Sequence, residues 1–136
     1  MTLVICVDDA YGMLFHDRRQ SKDAHLRKRL LQYAEGKCLR MNGYSAGQFA
    51  QEAESICVSE DFLQQARAED ICLVENVDCR PWLTECSRLI LYFWNRKYPA
   101  DQRFPAERLT DFTLVSTEDF AGSSHERITE RIYEKK

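Results

Sequence analysis

Leu3-Val4-Ile5-Cys6-Val7-Asp8-Asp9 is the stretch on which the fold turns. A run of apolar residues closed by two acids suits a short strand covered on both faces, as in the middle of a parallel sheet. A strand with one wet face would alternate instead. The pattern returns at Ile71-Cys72-Leu73-Val74 and at Leu89-Ile90-Leu91-Tyr92-Phe93-Trp94, with shorter versions at Leu39 to Met41 and at Ile56-Cys57-Val58. Amphipathic stretches lie between these runs. Leu26, Leu30, Tyr33 and Ala34 share one helical face, with Ser21 as cap, Asp23 in the first turn and Gly36 as the stop. Further helices are predicted over Tyr44 to Glu52, from Ser59 through Ala66, and over Pro81 to Cys86, where proline suits the first turn. Alternation of strand and helix as far as residue 94 predicts an α/β domain with a mainly parallel sheet and crossover helices.

Beyond Trp94 the character changes. Arg96 to Leu109 is polar, contains Pro99 and Pro105, and reads as a long surface loop. Phe112 to Ser116 reads as another strand. The tail from Glu126 to Glu134 alternates as an edge strand would. Yet Ile128 and Ile132 also stand four apart, and Ser123 with Glu126 fits a capping box, so local propensity favours a helix. The 136 residues suit a single domain spanning 1–136, large enough to bury a core without metal or disulfide.

A net charge of −3 argues against nonspecific nucleic-acid binding, which needs a basic surface. No apolar run approaches the ~20 residues of a membrane helix. The first nine residues lack a basic segment, so no signal peptide and a cytoplasmic location are expected. Of the 6 cysteines, Cys6, Cys38, Cys57 and Cys72 sit in or beside strand-like runs; Cys79 and Cys86 complete the set. None forms a CxxC pair, and reduced, buried thiols are expected. His16, His25 and His125 form no HxH or HExxH pair, so a metal site is unsupported.

Several short strings, in order, resemble dihydrofolate reductase over nearly the whole chain. Ile5 to Met13 resembles the first strand and its turn into the mobile active-site loop. Gly36-Lys37-Cys38-Leu39-Arg40-Met41 resembles the Gly-Lys-Pro-hydrophobic-hydrophobic-Met strand. Tyr44 to Ala50 sits where that family has Arg-x-Thr-Trp. Leu83 to Leu91 resembles Leu-x-x-Ala-Asp-Arg-Leu-Tyr-Leu, and Asp101-Gln102-Arg103-Phe104-Pro105 resembles Asp-Thr-x-Phe-Pro. The resemblance implies a mostly parallel twisted sheet with flanking helices and a C-terminal antiparallel hairpin. It therefore turns residues 126–134 from helix to strand, against local propensity.

The departures bear on function. The family's Gly-Gly pair, which lets backbone approach the NADPH phosphates, is replaced by Glu75-Asn76 after the Ile71 to Val74 strand. Side chains and negative charge there oppose a dinucleotide phosphate. NADPH is the cofactor the resemblance implies, and these residues disfavour it. The Pro-Trp of the active-site loop is missing, and Phe15 to Ser21 stands in its place. Asp23 is the nearest match to the family's proton-relay carboxylate; an acid in a first helical turn also complements the dipole with no further role. The arginine that grips the folate carboxylate has no counterpart in Gln51-Glu52-Ala53-Glu54-Ser55.

The resulting expectation is a divergent protein without classical folate reductase activity. It would bind a small polar or anionic ligand, or a partner, in the old cleft. Asp8, Met13, Arg18, Arg19, Asp23, Ser45, Glu75 and Asn76 would line that cleft, with His125 as a further ligand contact. Two other readings stand beside it. One is an NADPH-dependent reductase of a pterin-like or other heterocyclic substrate. The other is an RNA-associated protein using Arg18, Arg19, Arg96 and Lys97.

Overall fold

The computed structural model describes residues 1–49 and 56–136. The predicted helix over Tyr44 to Glu52 and the acidic segment Gln51 to Ser55 fall wholly or partly outside them.

The leading run forms β1 (Thr2–Val7), the centre of a seven-stranded sheet of order β5-β4-β6-β1-β7-β10-β9. Its neighbours are β6 (Ile71–Leu73) and β7 (Arg88–Phe93), both parallel to it. Alternation explains why β1 is apolar throughout. Leu3, Ile5 and Val7 face one core layer with Phe62, Leu63, Leu83 and Phe104. Val4 and Cys6 face the other, with Leu26, Leu30, Phe49 and Trp94. The helices α1 (Ala24–Tyr33), α2 (Gly43–Ala46), α3 (Phe62–Gln65) and α4 (Arg80–Leu83) cover these two faces.

Outward from β6 lie β4 (Leu39–Met41) and β5 (Ile56–Val58), again parallel. On the far side β7 pairs antiparallel with β10 (Ile128–Lys135), which pairs with β9 (Phe112–Phe120). The tail is thus a strand. Ile128 is buried against Tyr92 and Trp94, and partners on both sides supply the backbone hydrogen bonds that outweigh the local helical pattern. A small second sheet joins β2 (Gly12–Phe15), β3 (Arg18–Arg19) and β8 (Gln102–Arg103). The stretch from Arg96 to Leu109 therefore contains a strand as well as loop.

Two local readings are corrected. Asp23, rather than Ser21, caps α1: its Oδ1 accepts from the N–H groups of His25 and Leu26 at 2.9 and 3.0 Å. The thiols are not all reduced either. Cys38, just before β4, is disulfide-bonded to the exposed Cys57 of β5, with Cα atoms 6.3 Å apart. Neighbouring parallel strands brought them together, a proximity that a 19-residue separation conceals.

Candidate functional site

The chain runs outward from β1 to β4 and β5, returns at β6 beside β1, then crosses to β7. The reversal opens a crevice at the carboxyl ends of β1, β6 and β7, the usual ligand position in an open α/β sheet. Cys6, Val74, Glu75 and Trp94 stand at its floor.

An ion pair closes this crevice. The β2–β3 hairpin turns through His16 and Asp17, both at positive φ (51° and 62°), as a tight two-residue loop requires. The turn delivers Arg19 across the opening. Arg19 Nε and Nη2 donate to Glu75 Oε2 and Oε1 at 2.9 and 3.0 Å, a bidentate contact. Gln48 Nε2 donates to the same carboxylate at 3.1 Å. Tyr44 holds Arg19 in three ways: its ring lies 4.2 Å below the guanidinium carbon, its hydroxyl accepts from Arg19 N–H, and its carbonyl accepts from Nη2. Pairing with Glu75 raises the Arg19 pKa despite the burial that opposes charge.

Two voids of about 10 Å³ each remain beneath this pair. Cys6, Ser21, Glu75 and Trp94 line both. Each is about the size of one water. Among the described residues, Gln20 Oε1, Arg27 Nη1, Ser45 Oγ and, away on β10, Arg131 Nε are buried atoms without a protein hydrogen-bond partner. Gln20 lines one void and Arg27 the other; Ser45 lies on α2 between Tyr44 and Gln48. Buried polar atoms are normally paired, and the two voids give Gln20 and Arg27 room for a partner of about one water's size.

The other carboxylates of the crevice are fully engaged. Asp8 is 0% exposed and accepts from the N–H groups of Ala10, Gly12 and Tyr98 and from Gln20 Nε2. Burial alone would raise its pKa; these donors hold it below the usual range instead. Asp23 is 2% exposed. Besides capping α1, its Oδ2 accepts from Ser124 N–H and Ser124 Oγ at 2.7 and 2.8 Å. These bonds likewise overcome burial and hold the Asp23 carboxyl far below the usual range.

Ser124 Oγ also lies 2.8 Å from His125 Nδ1, and His125 Nε2 is 2.7 Å from the Tyr98 hydroxyl. The His125 ring stacks on Trp94 with centroids 4.8 Å apart. Its side chain is 5% exposed, and burial, aided by Arg96 and opposed by Asp23, keeps its pKa below the ordinary histidine value.

Of the residues singled out in the sequence, Arg19 and Glu75 meet at the closed crevice, and Ser45 is buried on α2 next to Tyr44. Met13 lines one of its voids. Arg18 is exposed beside Lys22 and Tyr44 in an open depression. Asn76 is exposed, and its Oδ1 accepts from Asn42 Nδ2 at 2.8 Å. Asp8, Asp23 and His125 belong to hydrogen-bonded frameworks at the rim. Arg27, Gln20, Tyr44 and Gln48 escaped the sequence reading. Arg27 carried a signal: it lies on the α1 face shared by Asp23, Leu26 and Leu30, where a charge is out of place. Nothing comparable marks Gln20 or Gln48. Among the described residues, no group of three His, Cys, Asp or Glu could hold a metal ion, and no helix is long and apolar enough to cross a membrane.

No protein-family model matches the chain, and no curated protein matches it. Among solved structures, it is similar to dihydrofolate reductase from Enterococcus faecalis complexed with NADP(H) and RAB-propyl. The TM-score is 0.67 at 9% identity, covering 98% of this chain and 95% of that one. The class of fold is dihydrofolate-reductase-like: a mostly parallel central sheet, flanking helices and a C-terminal antiparallel strand pair. Within that class this chain is a divergent example.

Proposed function

We propose that this protein has left folate reduction and uses the crevice at the ends of β1 and β6 to bind a small polar or anionic ligand or partner. One observation carries the reading: the crevice is closed by the bidentate Arg19–Glu75 pair over unpartnered polar atoms. Arg27 Nη1 wants an acceptor and Gln20 Oε1 wants a donor. A compact ligand bearing a carboxylate or carbonyl beside an N–H or O–H would satisfy both. It would enter by separating Arg19 from Glu75, and an anionic group on it would then replace Glu75 as the partner of Arg19.

The residues do not fit NADPH. A dinucleotide needs bare backbone at its phosphates, and at the turn where the resemblance implies a Gly-Gly pair this chain carries Glu75 and Asn76. Nor is Asp23 free for a pterin, since both its oxygens already accept two hydrogen bonds.

The test is a melting screen of the full chain against NADPH, dihydrofolate and a library of small polar metabolites, with NADPH oxidation followed in parallel. A ligand at a hundredfold excess over its Kd stabilises by about 2.7 kcal/mol. The expected result is no shift and no turnover with NADPH and dihydrofolate, and a shift with a library acid or amide. That shift should shrink in Arg27→Ala. NADPH-dependent reduction of a pterin would overturn the reading in favour of a reductase.

A further inference from the structure

We infer that Cys38 and Cys57 form a reversible redox clamp that sets how readily the crevice opens. The inference deepens the proposed use of the crevice and rests on it for its biological meaning.

The bond closes a ring of chain from residue 38 to residue 57. Inside that ring lie β4, α2 and the 3-10 turn Gly47–Phe49. These elements carry Tyr44, which grips Arg19, and Gln48, which holds Glu75. The crevice wall that keeps the ion pair shut is therefore the segment the disulfide fastens. Tying its two ends lowers the entropy of its open states and favours the closed arrangement.

Selectivity is built into placement. Cys57 is exposed on the edge strand β5, where a small thiol or disulfide can reach it. Cys72, Cys79 and Cys86 are buried, and burial raises their thiol pKa values, to about 11 for Cys72 and Cys79. Cys6 is pushed up still further for the same reason. Protonated, enclosed thiols react slowly. The Cα separation of 6.3 Å lies inside the range a disulfide spans without backbone movement.

The chemistry balances with a small-molecule disulfide such as oxidised glutathione as oxidant. The Cys57 thiolate attacks one of its sulfurs, forming a mixed disulfide and expelling one thiolate. The Cys38 thiolate then attacks Cys57 Sγ and expels the second. Two protein thiols are oxidised, one external disulfide is reduced to two thiols, and the two protons pass to the departing thiolates. A reducing thiol pair runs the sequence backwards.

The experiment equilibrates the full chain in glutathione buffers from fully reduced to fully oxidised, then counts thiols after denaturation. Amide hydrogen exchange is followed at residues 43–49 and at Arg19. The oxidised chain should keep four free thiols, Cys6, Cys72, Cys79 and Cys86, and the reduced chain all 6. Oxidation should slow exchange at residues 43–49 and Arg19 several-fold and raise the melting temperature by about 4 °C or more. Cys57→Ser and Cys38→Ser should each erase both effects and leave exchange at the reduced level. Six reactive thiols in every buffer would overturn the pair. A disulfide that forms without slowing exchange at the crevice would overturn the clamp. Neither readout uses a crevice ligand, so the melting screen can fail while the clamp stands, and the reverse.

Discussion

Two polar clusters flank Trp94 at the carboxyl edge of the sheet, and they are built on opposite principles. On one side the Asp23, Ser124, His125 and Tyr98 corner is closed upon itself. Every side-chain oxygen and ring nitrogen there has a partner within 3.1 Å. On the other side the crevice has one strong ion pair and, beneath it, buried donors and acceptors with none. The corner contains the residue types of a catalytic relay yet spends them on joining the β9–β10 turn to α1. The crevice has fewer suggestive residues and leaves some of them uncommitted. A fully satisfied network rigidifies a fold, whereas buried polar atoms without a protein partner beside water-sized voids leave room for a water or a ligand group.

The sharpest way to break this comparison is Asp23→Ala. It removes a helix cap worth about 1 kcal/mol and the hydrogen bonds that Ser124 donates to a charged carboxylate, worth about 1.5–3 kcal/mol, so a loss near 3 kcal/mol is expected. Urea unfolding reads it directly, and a loss below about 1 kcal/mol would mean the corner is not structural. The pH dependence has a definite sign. The Asp23 carboxyl is held below its ordinary value, so its contribution is complete above about pH 4 and drains away as acid protonates it.

The crevice should respond less, and differently. Glu75→Ala is expected to cost about 2 kcal/mol by stranding Arg19, since a hydrogen bond to a charged group carries about 1.5–3 kcal/mol. Adding Arg19→Ala should recover part of that loss, because the stranded charge goes with it. Additive losses in the double variant would show that the two side chains do not act as one closure.

The smallest effect belongs to His125. Burial keeps the ring neutral, with its pKa below the ordinary value, so its contribution is whole above about pH 6.5 and falls as the pH drops through the lowered value. Unfolding midpoints measured from pH 8 to pH 5 should decline in the wild type and run flatter in His125→Gln. Equal slopes would remove His125 from the satisfied corner.

Legibility in the sequence followed range. The apolar runs of β1, β6 and β7 announced a buried parallel sheet because a strand covered on both faces has no polar position to spare. The Asp23 region is recognisable as a helix start, but local preference for a serine cap points to Ser21, two residues before the Asp23 that caps α1. Local propensity favours a helix for the tail and the resemblance favours a strand: pairing with β9 and with the more distant β7 decides it. Glu75 stood out as a charge where glycine was expected. Its partner Arg19 lies 56 residues away, and no local pattern joins them.

What the sequence by itself determined is the α/β class and the burial of its central strands, because hydrophobic periodicity is local and each residue reports its own burial. Only the tertiary structure decided that Arg19 closes on Glu75, that Asp23 is consumed by Ser124, and that Cys38 meets Cys57. Those facts depend on which distant strands and turns become neighbours, and strand order is a property of the whole chain.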